Sequence, residues 1–201
     1  MARTAPDEAE LKRNIANIKK FLQHRDFGMI DSGIELARSL DQESIFEEFL
    51  KDCAINKEGQ LVGNKMFSGT GPAQPYLDYS LFNLVAYAPE KTNLNKSLKR
   101  SNIKSLNLYG SKEWTELPSC ISSFTNLTSL DLYNFDALKN VDGLANCTNL
   151  TSLDLSNCDA LKNIDGLANL TNLTNLDLSI CDALKNVDGL ANCTKLTDLN
   201  L

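Results

Sequence analysis

The sequence predicts an α/β solenoid with a parallel sheet along one face, preceded by a small, mainly α-helical domain. Two observations lead to this prediction. A segment of 23 residues occurs three times in succession from Leu127 and begins a fourth time at Leu196. Apolar residues at helical spacing recur through much of the first half of the chain. A tandem repeat of this length indicates stacked units, because each unit buries its apolar side only against its neighbours.

The repeats divide the chain into two predicted domains. Residues 1–102 form a mainly helical N-terminal domain, and residues 103–201 form the solenoid, with about four repeats and a final partial one. The first of these repeats, from Ile103, is the most diverged. The end of a solenoid exposes apolar side chains and an unpaired strand edge. We therefore expect the N-terminal domain to cover the first repeat as a cap.

Three helices are predicted near the N-terminus. The first begins around Pro6 and Glu8, because proline and acidic residues suit the first turn of a helix, and its apolar residues continue to Leu22. The second covers residues 27–40 after a polar turn. The third opens at residues 41–44 and places apolar side chains on one side of the helix.

Shorter elements are predicted between these helices and the first repeat. Residues 54–55 and 61–62 suit a hairpin around a turn, and residues 68–72 suit a loop because they are rich in glycine and small polar residues. A fourth helix is predicted over residues 76–87, before Pro89. The basic stretch 91–104 is interpreted as a connector, with an anion-binding patch as the alternative.

Each repeat follows the pattern LxxLxLxx(C/F)xxLxx(V/I)xxLxx(C/L)xx. This pattern resembles the leucine-rich repeat, and the phrase GLANLTNLTNLDLS is similar to the short bacterial, internalin-like repeats. The resemblance covers residues 103–201 and implies a non-catalytic protein-interaction module. The ninth position departs from the family's usual asparagine, which is replaced by Ser111, Phe135, Cys158 and Cys181. We expect apolar packing there instead of hydrogen bonds.

The leucines of each repeat are predicted to point inward and the residues between them outward. An Asp-Gly pair in each repeat is predicted to turn the chain on the return side, where the aspartate caps the short helical turn that follows. These aspartates are Asp142, Asp165 and Asp188.

The outward strand positions are the predicted partner-binding surface. Its residues are Asn107, Tyr109, Ser129, Asp131, Tyr133, Ser152, Asp154, Ser156, Asn175, Asp177 and Ser179. The middle column contains three successive aspartates at the strand spacing of roughly 4.8 Å. Their repulsion, on the order of 1 kcal/mol per hydrated pair, would be relieved by a basic partner. The alternative is that aspartate is a polar filler copied by duplication.

Charge and motifs exclude several classes of function. The net charge of −6 lies in residues 103–201, because the acidic and basic groups of residues 1–102 balance, and a nucleic-acid partner would need a basic surface. No motif predicts a catalytic site, a cofactor or a metal site, and the single histidine, His24, lies in a polar turn. We therefore predict that the protein is not an enzyme.

The cysteines are interpreted as core residues, except Cys120, which is predicted to be exposed. Cys147 and Cys193 occupy the repeat position of Phe124 and Leu170, so this slot accepts apolar side chains and free thiols. Whether Cys158 and Cys181, one repeat apart, form a bridge is left open.

Location and assembly are also predicted. The N-terminus lacks the apolar segment of a secretory signal and no run is long enough to span a membrane, which predicts a cytoplasmic protein. Secretion as an effector is an open alternative. The last repeat predicts end-to-end self-association through an open strand edge. The alternative function is a recognition arm of a larger bacterial enzyme or effector truncated after residue 201.

Overall fold

The computed structural model describes residues 8–22, 27–40, 43–50, 54–55, 57, 59–62, 102–108, 114–117 and 119–201. The predicted loop at 68–72, the predicted fourth helix at 76–87 and most of the basic connector lie outside these residues. His24 also lies outside them.

The three predicted N-terminal helices are confirmed. They are α1 (Glu8–Leu22), α2 (Phe27–Leu40) and α3 (Glu43–Leu50). Helices α1 and α2 pack closely at Gly33, where an added Cβ would lie 2.6 Å from the Cβ of Phe21. Buried apolar side chains from all three helices, such as Ile18, Ile34 and Phe49, form the centre of this region. None of the helices among the described residues is long and apolar enough to cross a membrane.

The predicted hairpin is also confirmed, and it contacts the first repeat. Strands β1 (Ala54–Ile55) and β2 (Leu61–Val62) pair antiparallel. The turn needs Gly59, which has a φ of +79°. The carbonyl of Gly59 accepts hydrogen bonds from the backbone nitrogens of Lys104 (2.8 Å) and Ser105 (3.3 Å). The hairpin therefore occupies part of the strand edge that the first repeat presents.

The repeats form one parallel five-stranded sheet in sequence order. Its strands are β3 (Ser105–Asn107), β4 (Ser129–Asp131), β5 (Ser152–Asp154), β6 (Asn175–Asp177) and β7 (Asp198–Asn200). Each strand pairs with the next at the same repeat position, as between Leu130 and Leu153. The structure is therefore a solenoid in which one 23-residue unit makes one coil.

The apolar side chains of the helices and of the coils belong to one continuous buried cluster. The inward leucines of the strands, such as Leu130 and Leu153, are almost fully buried, as the pattern predicts. Burial decreases in the last coil, where Val187 is 38% exposed and Leu199 is 43% exposed. The cap function of the N-terminal region and its boundary at residue 102 stay predictions.

The return side of each complete coil contains a short 3₁₀ helix. Three of these helices begin at the aspartate of the Asp-Gly pair: Asp142–Leu144, Asp165–Leu167 and Asp188–Leu190. The prediction that these aspartates cap the turn is wrong, because the preceding residue holds the cap position without a side-chain bond. The aspartates' own backbone N–H groups donate to asparagine Oδ1 atoms two residues earlier, namely Asn140, Asn163 and Asn186.

The ninth repeat position is apolar only in part. Phe135 and Cys158 are fully buried, as predicted, and the Phe135 ring packs against Trp114 with the centroids 5.7 Å apart. The expected absence of hydrogen bonds is wrong for the cysteines. The thiol of Cys158 donates to the carbonyl of Leu132 (3.5 Å), and that of Cys181 donates to the carbonyl of Leu155 (3.2 Å).

The four described cysteine side chains of the coils are free thiols. Burial raises the pKa of Cys147 to about 11 and that of Cys158 to about 12. Burial also raises the pKa of Cys181 and Cys193. These thiols are therefore protonated at neutral pH and weakly nucleophilic.

Candidate functional site on the outward strand face

Strand register aligns the outward residues into columns. The middle column stacks Asn107, Asp131, Asp154, Asp177 and Asn200 on successive strands. All three aspartates are partly buried, whereas the asparagines at both ends are exposed. We call Asp131, Asp154 and Asp177 the carboxylate ladder. Because neighbouring strands lie roughly 4.8 Å apart, these carboxylates are close enough to repel one another.

One oxygen of each ladder carboxylate fixes the turn that follows its strand. The Oδ1 atoms of Asp131, Asp154 and Asp177 accept hydrogen bonds from the backbone nitrogens two residues later, at 2.9, 2.8 and 2.8 Å. Oδ1 of Asp154 also accepts a hydrogen bond from the hydroxyl of Ser156, and Oδ1 of Asp177 accepts one from the hydroxyl of Ser179. The aspartates thus have a structural function that neither the binding hypothesis nor the filler alternative predicted.

The two serines of the third column differ in their exposure. Ser156 is only 8% exposed, and its hydroxyl donates to Asp154 at 2.5 Å. Ser179 makes the same bond to Asp177 at 2.6 Å but is partly exposed. Ser156 therefore supports the carboxylate of Asp154, while its predicted part in partner binding stays a prediction.

The second carboxylate oxygens differ along the ladder. Oδ2 of Asp177 accepts the side-chain amide of Asn200 at 3.2 Å. In the neighbouring column, Oδ2 of Asp198 likewise accepts the amide of Asn175 at 2.9 Å. No such bond reaches Oδ2 of Asp131 or Asp154 within the part of the chain that the structure describes. Asp131 and Asp154 thus lie on the adjacent strands β4 and β5, and each has an Oδ2 atom that accepts no side-chain amide from the described residues.

The ionisation of the ladder reflects this difference. Burial raises the pKa of Asp131; the hydrogen bond from Tyr133 opposes this effect, and the charge of Asp154 adds to it. Burial also acts on Asp177, but hydrogen bonds from Ser179 and Asn200 outweigh it and lower the pKa of that carboxyl. Two equivalent positions of the repeat are therefore shifted in opposite directions.

Asp131→Asn and Asp177→Asn are expected to change stability with opposite signs at pH 7. Because the pKa of Asp131 is raised in the folded protein, the contribution of this carboxyl to folding stability is lost as the pH rises through the folded pKa. At pH 7 the carboxylate is therefore unfavourable, and replacing it with the neutral amide should increase the free energy of unfolding. Because the pKa of Asp177 is lowered in the folded protein, its carboxylate stabilises the fold above the unfolded pKa near 3.8, and this stabilisation is lost as the pH falls. At pH 7 the amide should therefore decrease the free energy of unfolding.

Both changes should remain below about 1 kcal/mol because the groups stay partly hydrated. Urea unfolding of both variants and of the wild type, at pH 7 and again near pH 3, measures the effect. At the acidic pH both differences should shrink towards zero. Shifts of the same sign at pH 7 would contradict the assignment.

A shallow depression of about 580 Å³ lies over the C-terminal part of this face. The outward residues of β5, β6 and β7 line it, including Asp154, Asp177 and Asn200. Three of its lining residues, Thr197, Asp198 and Asn200, were not among the predicted site residues. The alignment of the final partial repeat carried that information, because Asp198 and Asn200 occupy the same positions as Asn175 and Asp177.

The remaining predicted residues differ in their exposure and in their hydrogen bonds. Ser129 and Ser152 are partly buried in the first column, while Asn107 and Asn175 are exposed. The hydroxyl of Tyr133 accepts the side-chain amide of Asn157 at 3.0 Å, a contact that sequence reasoning missed. Tyr109 lies outside the described residues. Within the described ranges, no group of three or more histidine, cysteine or acidic side chains is arranged to hold a metal ion.

Comparisons with known proteins concern the repeats. Residues 125–169 match the family model described as leucine-rich repeats in two copies. Among solved structures, the chain is similar to internalin C2 of Listeria monocytogenes, with 26% identity and a TM-score of 0.46. That match covers 57% of this chain and 49% of the internalin.

A second Listeria monocytogenes structure, an internalin named inlF, is 25% identical with a TM-score of 0.38. The match covers 59% of this chain and 40% of that internalin, so the chain spans less than half the length of either structure. No curated protein matches the chain. The sheet register and the family match agree on residues 125–169, and the repeats within this range match leucine-rich repeats.

Proposed function

We propose that the chain is a non-catalytic protein-interaction module that binds a basic protein partner on the outward face of its sheet. Leucine-rich repeats of this kind suit a general function in protein binding. The observation that carries the proposal is the carboxylate ladder. Its three partly buried aspartates have no lysine or arginine partner among the described residues, so this part of the chain leaves their charge uncompensated.

The ladder is held in place before any partner binds. The turn bonds to Oδ1 fix each carboxylate and direct its other oxygen away from those bonds. Fixed side chains lose little conformational entropy on binding, which favours affinity. The open Oδ2 atoms of Asp131 and Asp154 suit an arginine or lysine side chain that spans both carboxylates, because charged hydrogen bonds are the strong ones.

Tyr133 lies two residues beyond Asp131. Its position supports this end of the ladder as the centre of the proposed binding site. Its ring is partly exposed, and its hydroxyl is held by Asn157. A positioned aromatic ring beside two carboxylates suits a guanidinium, which contacts aromatic faces as well as carboxylates. Asp177 and Asp198, whose outer oxygens already accept asparagine amides, are expected to contribute less.

The test uses a fluorescently labelled octa-arginine peptide as the probe and anisotropy as the measurement. The variant Asp131→Asn/Asp154→Asn/Asp177→Asn keeps the oxygens that accept the turn bonds and removes the charges. We expect its affinity for the peptide to fall at least about tenfold, since three charged contacts are lost.

The matched control is Asp142→Asn/Asp165→Asn/Asp188→Asn, which changes the net charge equally on the return side of the same coils. Its affinity should change by less than about threefold, because only the diffuse field is altered. Equal losses in the two triple variants would reject the ladder as the binding site.

We also propose that copies of this chain associate end to end through the last coil. The support is exposed apolar surface there, since Leu199 is 43% exposed and Leu201 is 70% exposed. Sedimentation of the variant Leu199→Asp against the wild type tests it. A sedimentation coefficient that rises with concentration equally in both chains would contradict this contact.

A further inference from the structure

A second charged surface lies on the return side of the coils, away from the carboxylate ladder. Lys139, Lys162 and Lys185 occupy the same position of three successive repeats, and all three are exposed. We call them the lysine column. The backbone holds their spacing, because the nitrogen of Lys162 donates to the carbonyl of Lys139 at 3.0 Å. The next residues, Asn140 and Asn163, form a parallel bridge between the same coils.

A column of opposite charge runs beside the lysine column. Asp142, Asp165 and Asp188 follow the lysines by three residues and are also exposed; we call them the return aspartates. They begin the three 3₁₀ helices, which stack on one another from coil to coil. Val141 and Ile164, which are buried, and Val187, which is 38% exposed, separate the two columns along the chain. The two columns therefore advance with one period, that of the coil.

Within the described part of the chain, no ion pair joins the two columns. The return aspartates make few other contacts: Asp165 accepts the amide of Asn163 at 3.0 Å. Like charges thus stack at roughly strand spacing in each column, with a repulsion on the order of 1 kcal/mol per hydrated pair. Opposing charges from a partner would relieve both columns at once.

We propose that a second copy of this chain is that partner, bound side by side through the lysine column and the return aspartates. A partner can pair with all three coils only if its charges repeat with the spacing of the coils. A second copy of this chain has that spacing because its charges lie on the same coils. A two-fold axis through the face places each surface against itself, as in most protein dimers. With that axis parallel to the two columns, the order of the coils is kept and the lysine column of each copy faces the return aspartates of the other, so that Lys139 faces Asp142 and Lys162 faces Asp165.

Charge pairs of this exposed kind are weak singly and are screened by salt. The proposal therefore predicts a reversible dimer that forms at low ionic strength. We expect the apparent dissociation constant from sedimentation equilibrium to rise at least about tenfold between roughly 20 mM and 500 mM sodium chloride. The variant Lys139→Glu/Lys162→Glu/Lys185→Glu should show a similar loss already at low salt.

Two further chains make the test specific. Asp142→Lys/Asp165→Lys/Asp188→Lys should also be monomeric alone, and its equimolar mixture with the lysine-to-glutamate chain should form a heterodimer. The carboxylate-ladder variant Asp131→Asn/Asp154→Asn/Asp177→Asn is the control and should dimerise like the wild type. Carbodiimide crosslinking of mixed light and isotope-labelled chains, read by mass spectrometry, should join Lys162 of one copy to Asp165 of the other.

The outcomes separate this contact from the end-to-end contact. Dimerisation that survives high salt and charge reversal but is lost in Leu199→Asp would overturn the side-by-side proposal and support the apolar one. A wild type that stays monomeric at low salt, or a charge-swapped mixture that forms no heterodimer, would also overturn it. The peptide-binding test of the ladder is unaffected by either result.

Discussion

Gly166→Ala is expected to lower the free energy of unfolding by about 3 kcal/mol, at the upper end of overpacking effects. An added Cβ at this position would collide with the carbonyl oxygen of Val141 in the preceding coil and lie 2.7 Å from its carbonyl carbon. Both are backbone atoms that already take part in coil stacking, so no side-chain rotation relieves the collision. The coils would have to separate locally.

The equivalent glycine of the preceding repeat provides the matched control. At Gly143 the nearest atoms to an added Cβ are side-chain atoms of Ile121 at 3.0 Å and Leu117 at 3.2 Å, which can shift. Gly143→Ala should therefore cost less than about 1 kcal/mol. Gly189 meets the backbone of Ile164 as closely, but it lies in the less buried last coil and should give an intermediate loss.

Urea unfolding followed by the fluorescence of Trp114, the only tryptophan, measures these differences, because its ring packs against Phe135 within the same core. Circular dichroism of the same samples reports whether all coils unfold together. Equal stability losses in the Gly143 and Gly166 variants would show that alanine is disfavoured by local backbone preference and not by contact between coils.

The fold was predictable because the repeat encodes it redundantly. Three nearly identical units place leucines at inward positions, and their alignment alone defines the register of the sheet. The N-terminal helices and the hairpin were predictable from apolar spacing and turn residues. The spacing of apolar residues distinguishes helices from strands, because the two structures have different periods. The near-identity of neighbouring repeats then aligns one strand with the next.

The site was predictable in position but not in bonding. The sequence placed the aspartates on the outward face, yet it did not indicate that their Oδ1 atoms bind the following turn. It also assigned the Asp-Gly aspartates as caps, although Asn140 and its equivalents hold the turns. Asparagine and aspartate compete for such short-range bonds with nearly equal preference, so only the backbone geometry distinguishes them.

The opposite pKa shifts of Asp131 and Asp177 were beyond sequence reasoning for a related reason. The two residues lie in near-identical repeats and differ only in their surroundings, such as Tyr133 in place of Ser179 and the amide of Asn200. Small differences between repeats thus decide the direction in which the pKa of each ladder carboxyl shifts. The identical parts of the repeats build the scaffold.

Asn157→Ile is expected to destabilise the protein by about 2 kcal/mol, and the reverse exchange Ile180→Asn to stabilise it by about 1 kcal/mol. Residues 134, 157 and 180 are equivalent and all adopt the left-handed conformation, with φ of 65°, 57° and 57°. Two repeats place asparagine there, which tolerates this region. The third places isoleucine, a β-branched residue for which the conformation is strained.

The difference in size between the two effects follows from the contacts at each position. Asn157 also donates its amide to the hydroxyl of Tyr133 at 3.0 Å, and isoleucine would lose that bond. Ile180 is 61% exposed, so its replacement forfeits little apolar burial. Thermal and urea unfolding of both single variants measures the two values.

The double variant Asn157→Ile/Ile180→Asn completes the design. The positions lie in adjacent coils, and the backbone nitrogen of Asn157 donates to the carbonyl of Ser179, the residue before Ile180, at 2.9 Å. If strain at each turn is local, the two changes should add within about 0.5 kcal/mol. If Ile180→Asn left the free energy of unfolding unchanged, the contacts of the isoleucine side chain would have to stabilise the fold by as much as its left-handed backbone conformation destabilises it. Because 61% of the side chain faces solvent, contacts within the chain leave little room for that gain.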